Sequence, residues 1–374
     1  MFLTENQKEQ LRVISLNQWH HNRSIAIEAA QSLLSIDPNN PTILTNLEYF
    51  LIALPFYDSL EIEDLEDDNF RPMNTCLSKY NGNIIAFVRT VNYIINNGTY
   101  NPGPPDNSYT SITKMIILSR KALKVKRILN ISNQEERWER CGHIYGGGYE
   151  DIRVSSKCYS ESNNIKWCAI GGRYLADRIK LFIFTISYDG ESNISISVGK
   201  EIKYGEECEK NWTPIKYRKG LLTVIYKYQP LIILKINCEG EVVKETKRLV
   251  NYKLRYDSYR GGSPIIRIRN RYISIVHECR VSGDRYYFNR IVELNKKMEI
   301  IGISNAFHCS SGQKIEYIMG MMSSDDQQSV FISIGINDEK TRILSIETDK
   351  LLQMIQTEDY YINRINNLLT EFQC

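Results

Sequence analysis

Residues 211–228 read NWTPIKYRKGLLTVIYKY, and residues 261–278 read GGSPIIRIRNRYISIVHE. Each opens on a polar or proline-containing start, enters a strand rich in Ile, Val and Tyr, turns tightly and returns as a second strand. Such residues favour the pleated surface of a sheet. The phrase occurs again at residues 74–89 (NTCLSKYNGNIIAFVR), from residue 150 (EDIRVSSKCY) and from residue 315 (IEYIMGMM, with SVFISIG following at 329–335). The later copies recur at the period of a propeller blade, about 40 to 50 residues. Five phrases predict five blades. In a propeller the innermost strands surround an axis and the loops at one end form a funnel. Residues that open the phrases would then converge on one pocket.

From about residue 72 onward, short strands alternate with turns. Strands are expected at 83–90, 179–188, 221–228, 231–238, 272–279 and 329–336, with Asn81-Gly82, Asp189-Gly190 and Glu239-Gly240 as turn signals. Residues 4–62 read instead as helices. Ile25, Ala29, Leu33 and Ile36 share one helical face, and Asp37-Pro38-Asn39-Asn40-Pro41 stops it. Thr42 can cap a second helix with Leu44, Leu47, Phe50, Leu51 and Leu54 inward. The pair resembles one tetratricopeptide hairpin, and a solenoid needs about three repeats, so the hairpin is expected to pack on the β domain. Residues 61–68, EIEDLEDD, read as a solvated connector, and 349–372 return to a helical period. The expected fold is therefore mainly β: a five-bladed β-propeller (71–374) carrying a small N-terminal α-helical, tetratricopeptide-like unit (1–70) and a C-terminal helix.

Composition sets limits on function. The 374 residues are 42% hydrophobic and 24% charged, enough to build a core without disulfides. The 47 basic and 44 acidic residues leave a formal charge of +3, too balanced to argue for nucleic acid or a membrane surface. The nine cysteines are scattered without a CxxC pair, which argues against a zinc ribbon or a thioredoxin motif and for reduced thiols. The N-terminus MFLTENQKEQ lacks a basic region followed by an apolar run, so a cytoplasmic chain is expected, and no apolar stretch is long enough to span a bilayer. Sequons at Asn97 and Asn193 are then chance matches. No Rossmann glycine fingerprint or DxD motif stands in a suitable context, and nothing calls for a metal or another cofactor.

Several residues could carry chemistry. Gly146-Gly147-Gly148 precedes Glu150, Asp151 and Arg153, an acid pair beside a fixed cation; taken alone, this also fits a glycine turn with a surface ion pair. Lys210 could hold a phosphate or sugar hydroxyl and Trp212 could stack on a sugar, or the two could be an exposed Lys and a half-buried Trp. Arg260 with Gly261-Gly262-Ser263 makes an anion-binding nest or a plain turn. His277-Glu278 follows on the same hairpin, and a lone strand His is more often structural. Of Tyr286 and Tyr287, alternation turns only one inward. Glu316 and Asp338 could accept sugar hydroxyls or lie on the surface.

Taken in order, Glu150-Asp151-Ile152-Arg153, Lys210-Asn211-Trp212, Gly261-Gly262-Ser263-Pro264, His277-Glu278, the Glu316 start and the Gly335–Asp338 turn resemble the glycoside hydrolase family 130 mannoside phosphorylases. They resemble equally the related β-1,2-mannosyltransferases and phosphorylases that share a five-bladed propeller. The likeness spans roughly residues 72–350 and lies in the shared order of the motifs. It implies that Asp151 is the general acid of a phosphorylase or assists the acceptor of a transferase, with Arg153 near the reacting sugar. It implies that Lys210, His277 and Tyr287 hold phosphate and that Glu316 and Asp338 bind sugar hydroxyls. Ile152 stands where the family has Pro, and Tyr228-Gln229-Pro230 replaces part of a basic set, which weakens the case for inorganic phosphate as nucleophile. The helical N-terminus is foreign to the phosphorylases.

The expected activity is single-displacement transfer of a hexosyl, in particular mannosyl, unit from a sugar-1-phosphate or nucleotide sugar to a glycan or other acceptor. Asp151 would exchange the proton, with Glu150, Arg153, Lys210, Trp212, Arg260, His277, Tyr287, Glu316 and Asp338 binding substrate. A mannoside phosphorylase or hydrolase, an inactive glycan- or protein-binding propeller, and a scaffold with a protein partner on the helical hairpin are the competing readings.

Overall fold

The computed structural model describes residues 23–356 except 38–39, 64, 66–68, 97–98, 104–107, 122, 135–137, 141–142, 156–157, 162–163, 176–177, 206–208, 249–258, 283, 310–312 and 314. Five sheets, antiparallel except for one added strand in the first, form the five blades of a propeller. The innermost strands are Arg71–Tyr80 (blade 1), Glu150–Val154 (blade 2), Thr213–Arg218 (blade 3), Arg260–Gly261 with Ile266–Ile268 (blade 4) and Glu316–Ser323 (blade 5). Each coincides with one of the five sequence phrases. Blades 2 to 5 then step outward strand by strand, with Leu221–Tyr228, Leu231–Ile236 and Val242–Arg248 completing blade 3.

A blade packs on a neighbour through both faces, so its middle strands are apolar on both. Asn83–Val91 is buried at every position after the first. The inner strands crowd the axis. A Cβ on Gly262 would fall 2.6 Å from the carbonyl oxygens of Ile275 and Ile318, and one on Gly320 would fall 2.6 Å from the Leu77 amide. Only glycine admits that approach.

Blade 1 carries an addition that delivers the site. His143–Gly147 runs parallel to Ser108–Ser119, with Gly146 opposite Thr110 and Gly147 opposite Ser111. The Gly148 amide then donates to the Ser111 carbonyl at 2.8 Å, so the chain enters blade 2 beside the axis.

The helical hairpin consists of α1 (Arg23–Ile36) and α2 (Pro41–Leu51). Its cap is Asn40, not Thr42: the Asn40 side chain accepts from the amides of Thr42 and Ile43. Leu33, Leu44, Leu47 and Phe50 pack against Tyr286, Phe288 and Ala306 of blade 4. A buried ion pair, Arg290 to Glu48 at 3.0 Å, fastens the helices to that blade. The expected packing of the hairpin on the β domain is thus found.

Two readings change. Residues 56–62, read as helix and connector, form a strand (Phe56–Ile62) that pairs antiparallel with Lys340–Glu347 as the outermost strand of blade 5. The acidic connector is not simply solvated: Ile62 and Leu65 are buried, and the buried Lys114 ammonium donates to the Leu65 carbonyl. Their aliphatic side chains cover blade 1, while Glu63 is exposed and Glu61 pairs with Lys340 and Arg342. Of the C-terminal helix, α3 (Thr348–Gln353) is described, followed by a short edge strand Ile355–Gln356 on blade 4. Residues 4–22 and 357–372 lie outside the described residues.

Candidate active site

The inner strands begin at one end of the axis, and there their first residues meet. Asp151 lies at the start of blade 2 with φ +48°, Asn211 just before blade 3 with φ +64°, and Asp338 in the last blade's turn with φ +56°. Left-handed backbone is costly for residues with a Cβ and least so for Asn and Asp. Strain of this kind concentrates where side chains are aimed at a site.

Arg89, on the second strand of blade 1, organises the acids. Its Nη1 meets Asp151 Oδ1 at 3.1 Å and its Nη2 meets Glu150 Oε1 at 3.0 Å. Its Nε donates to Ser111 Oγ at 2.9 Å and its Nη2 to the Tyr93 hydroxyl at 2.7 Å. Asn74 Nδ2 donates to the same Asp151 oxygen at 2.9 Å. Burial pushes the Asp151 carboxyl up, but Arg89 and Arg153, helped by Asn74 and Lys210, outweigh it and hold the group below the usual carboxylate range. Asp338 behaves in the opposite way. Burial and the charge of Asp151 raise it, against Arg89, Arg285 and Lys210. Two neighbouring acids are therefore driven apart in acidity, the pattern that separates proton acceptor from proton donor.

Arg153 is buried and fixed from three sides. It donates to the Gly262 carbonyl at 3.1 Å, to Asn211 Oδ1 at 3.0 Å and to the Tyr317 hydroxyl. Tyr317 in turn donates to Asn211 Oδ1 at 2.6 Å. His277 lies against the rings of Tyr287 (5.0 Å between centroids) and Tyr317 (5.1 Å). Its Nδ1 has no hydrogen-bond partner among the described residues. Burial, then Arg153 and Arg260, push its pKa down to about 3, so the ring is neutral at ordinary pH. Lys210 is exposed and lines a small cavity with Glu150, Asp151, Arg153 and Asn211. Arg260 is exposed on the rim, its backbone paired to His277.

Of the residues named from sequence, Glu150, Asp151, Arg153, Lys210, Arg260, His277, Tyr287 and Asp338 come together at this end. Trp212 does not offer a stacking face. It is 1% exposed, its indole N–H donates to Glu209 at 2.8 Å, and the rings of Tyr204 and Tyr226 pack against it in T-shaped contacts. Glu316 is fully buried, and its carboxylate accepts from the Cys309 amide at 2.7 Å beside Tyr49 of the hairpin. Strand alternation explains this: Tyr317, one residue on, is the side chain that reaches the site. The same alternation sends Tyr286 to the hairpin and Tyr287 to His277. Sequence reading did not single out Arg89, Tyr317 or Arg285, and it reached Asn74 and Asn211 only as residues that open their phrases. Arg89 carried a signal, a lone charge inside the apolar run IIAFVRTV.

No family model matches the chain, and no curated protein matches it. Solved structures do. A β-1,2-mannobiose phosphorylase from Listeria innocua, in complex with β-1,2-mannobiose, superposes with TM-score 0.52 at 10% identity, covering 80% of this chain and 99% of that one. A glycosyl hydrolase from Bacteroides ovatus matches with TM-score 0.52 at 12% identity, covering 80% and 97%. A structure from glycoside hydrolase family 130, a mannoside phosphorylase family containing hydrolases that target β-1,2-mannosidic linkages in Candida mannan, matches with TM-score 0.52 at 11% identity, also covering 80% and 97%. The chain shares the five-bladed fold of these proteins.

Proposed function

We propose that this propeller is a carbohydrate-active enzyme that moves a mannosyl or closely related hexosyl unit by single displacement, transferring it from a phosphate-activated donor to a hydroxyl of a glycan acceptor. The observation that carries this reading is Asp151, held ionised at the mouth of the axis by Arg89 and Arg153. An ionised carboxylate is what an acceptor hydroxyl needs. Its proton passes to Asp151, its oxygen bonds to the sugar's anomeric carbon, and the bond from that carbon to the phosphate oxygen breaks with the electron pair going to the phosphate. Arg153, Lys210 and the rim cation Arg260 supply positive charge for that leaving group. Asp338 and Glu150 suit the sugar's hydroxyls, a positioning role. The mannoside chemistry of the fold neighbours supports the choice of sugar.

Asp338 favours a second reading. A carboxyl with raised pKa is suited to protonate a glycosidic oxygen, as phosphorolysis or hydrolysis requires. The two are separated by incubating purified protein with mannosides, with and without inorganic phosphate, and with mannosyl donors plus acceptors. Donor-dependent synthesis supports transfer. Cleavage that requires phosphate supports a phosphorylase, and cleavage without it a hydrolase.

A further inference from the structure

A neutral imidazole has one N–H and one lone pair, and which nitrogen holds the hydrogen depends on what faces the ring. Burial, then Arg153 and Arg260, keep His277 neutral. Its Nδ1 is buried with no hydrogen-bond partner among the described residues. A second such atom stands on the neighbouring strand. Asn289 is fully buried, and its Oδ1 likewise has no partner among the described residues.

The register brings the two residues together. His277 lies directly opposite Asn289 in the paired strands Arg271–Ser282 and Asp284–Leu294. The Asn289 carbonyl accepts from the Phe307 amide at 3.1 Å, on the side away from His277. The two therefore form a non-hydrogen-bonded pair, the kind whose side chains approach more closely on one face, with Cβ atoms about 5 Å apart. The Asn289 amide is fixed in one orientation. Its Nδ2 donates to the Glu316 carbonyl at 2.8 Å, and the flipped group would set two acceptor oxygens against each other. Oδ1, which can only accept, is thus the atom left for His277, and a buried acceptor without a donor is costly. A hydrogen on Nδ1 satisfies both atoms at once, directly or through one bridging water.

We propose that Asn289 is a positioning residue that fixes His277 as the Nδ1–H tautomer, so that Nε2 meets the substrate as a lone pair and accepts a hydrogen bond from a sugar hydroxyl. The resemblance to the mannoside phosphorylases implies instead that His277 holds phosphate. A lone pair cannot donate to phosphate oxygens, whereas a hydroxyl can donate to it. Naming a sugar as the ligand rests on the proposed activity; the tautomer does not.

The tautomer is read by nitrogen NMR of the histidine rings in isotope-labelled protein at neutral pH, with the His277 signals identified by their loss in His277→Phe. The parent should show His277 protonated at Nδ1 and bare at Nε2. Asn289→Leu offers no acceptor, so the hydrogen should move to Nε2. A parent ring protonated at Nε2, or a ring still protonated at Nδ1 in Asn289→Leu, would overturn the proposal. Calorimetric titration with a short β-mannoside and with inorganic phosphate then tests the ligand. His277→Phe should bind the mannoside roughly tenfold more weakly and phosphate as the parent does. Weakened phosphate binding with mannoside binding unchanged would overturn the assignment to a hydroxyl. A parent that binds no mannoside would overturn the proposed activity and the ligand named here, while the tautomer spectrum would still decide the role of Asn289.

Discussion

Asp151 combines an unfavourable backbone with a favourable charge environment. Its left-handed φ aims the carboxylate at the axis, where Arg89 and Asn74 take one oxygen. If it accepts the acceptor's proton, Asp151→Asn loses turnover by at least about a hundredfold while circular dichroism and glycan binding stay as in the parent. Arg89→Met removes the main counter-charge, so Asp151 titrates at higher pH. The acid limb of kcat/KM should move upward in that variant, and a limb that stays in place would show that Asp151 does not set it. His277 makes a stability prediction. Its folded pKa, about 3, lies below the unfolded value of about 6.5, so between these the unfolded chain binds the proton and stability falls as pH falls through the window. The effect is at most on the order of 5 kcal/mol. Thermal melts of His277→Gln from pH 4 to 7 should show a flatter dependence than the parent. At this scale Asp151 and Arg153 were legible because they open a phrase. Tyr317 was not, because choosing between it and Glu316 depends on which way the strand's pleat faces, and that is set by Cys309 and Tyr49, which come from distant segments.

The helical hairpin is bonded to blade 4 rather than tethered to it. Arg290 and Glu48 are 1% and 3% exposed at their side chains, and Arg280 adds bonds to the Thr42 carbonyl and Asn46. Glu48→Gln leaves a buried guanidinium short of its counter-charge, and denaturant unfolding should register a loss of about 3 kcal/mol. Glu48→Leu/Arg290→Met, which removes both charges, should recover much of it. Asn40→Ala removes the α2 cap and should cost about 1 kcal/mol. The hairpin was legible from its 3.6-residue period and its Asp-Pro and Asn-Pro stops. The strand at Phe56–Ile62 was not, since FYDSLEI has no clean alternation and is exposed over its first four positions. It becomes a strand because Lys340–Glu347 offers an open edge.

At the scale of the molecule, the ring is closed by a strand from the beginning of the propeller's chain pairing with the end of it, Leu60 opposite Ile343. Backbone N–H groups alternate between the ladder and solvent along a strand. The paired substitution Ser59→Pro/Leu60→Pro therefore removes a ladder bond in either phase, and the melting temperature should fall by roughly 5 °C. The blade count was legible because each inner strand must restart at the axis with a turn-forming, polar opening. The charge of the whole was a poor guide, since +3 averages a basic blade 3 with a more acidic remainder. Mannosyl transfer at the axis is the central claim, and the most direct measurement is a donor screen with purified protein. GDP-mannose and mannose-1-phosphate are offered with mannose and short mannosides as acceptors, in parallel for the parent and Asp151→Asn. The account predicts a new mannoside from one of these donors with the parent and none with the variant. Product formed equally by both, or no product from any donor while the parent still binds a mannoside, would contradict it.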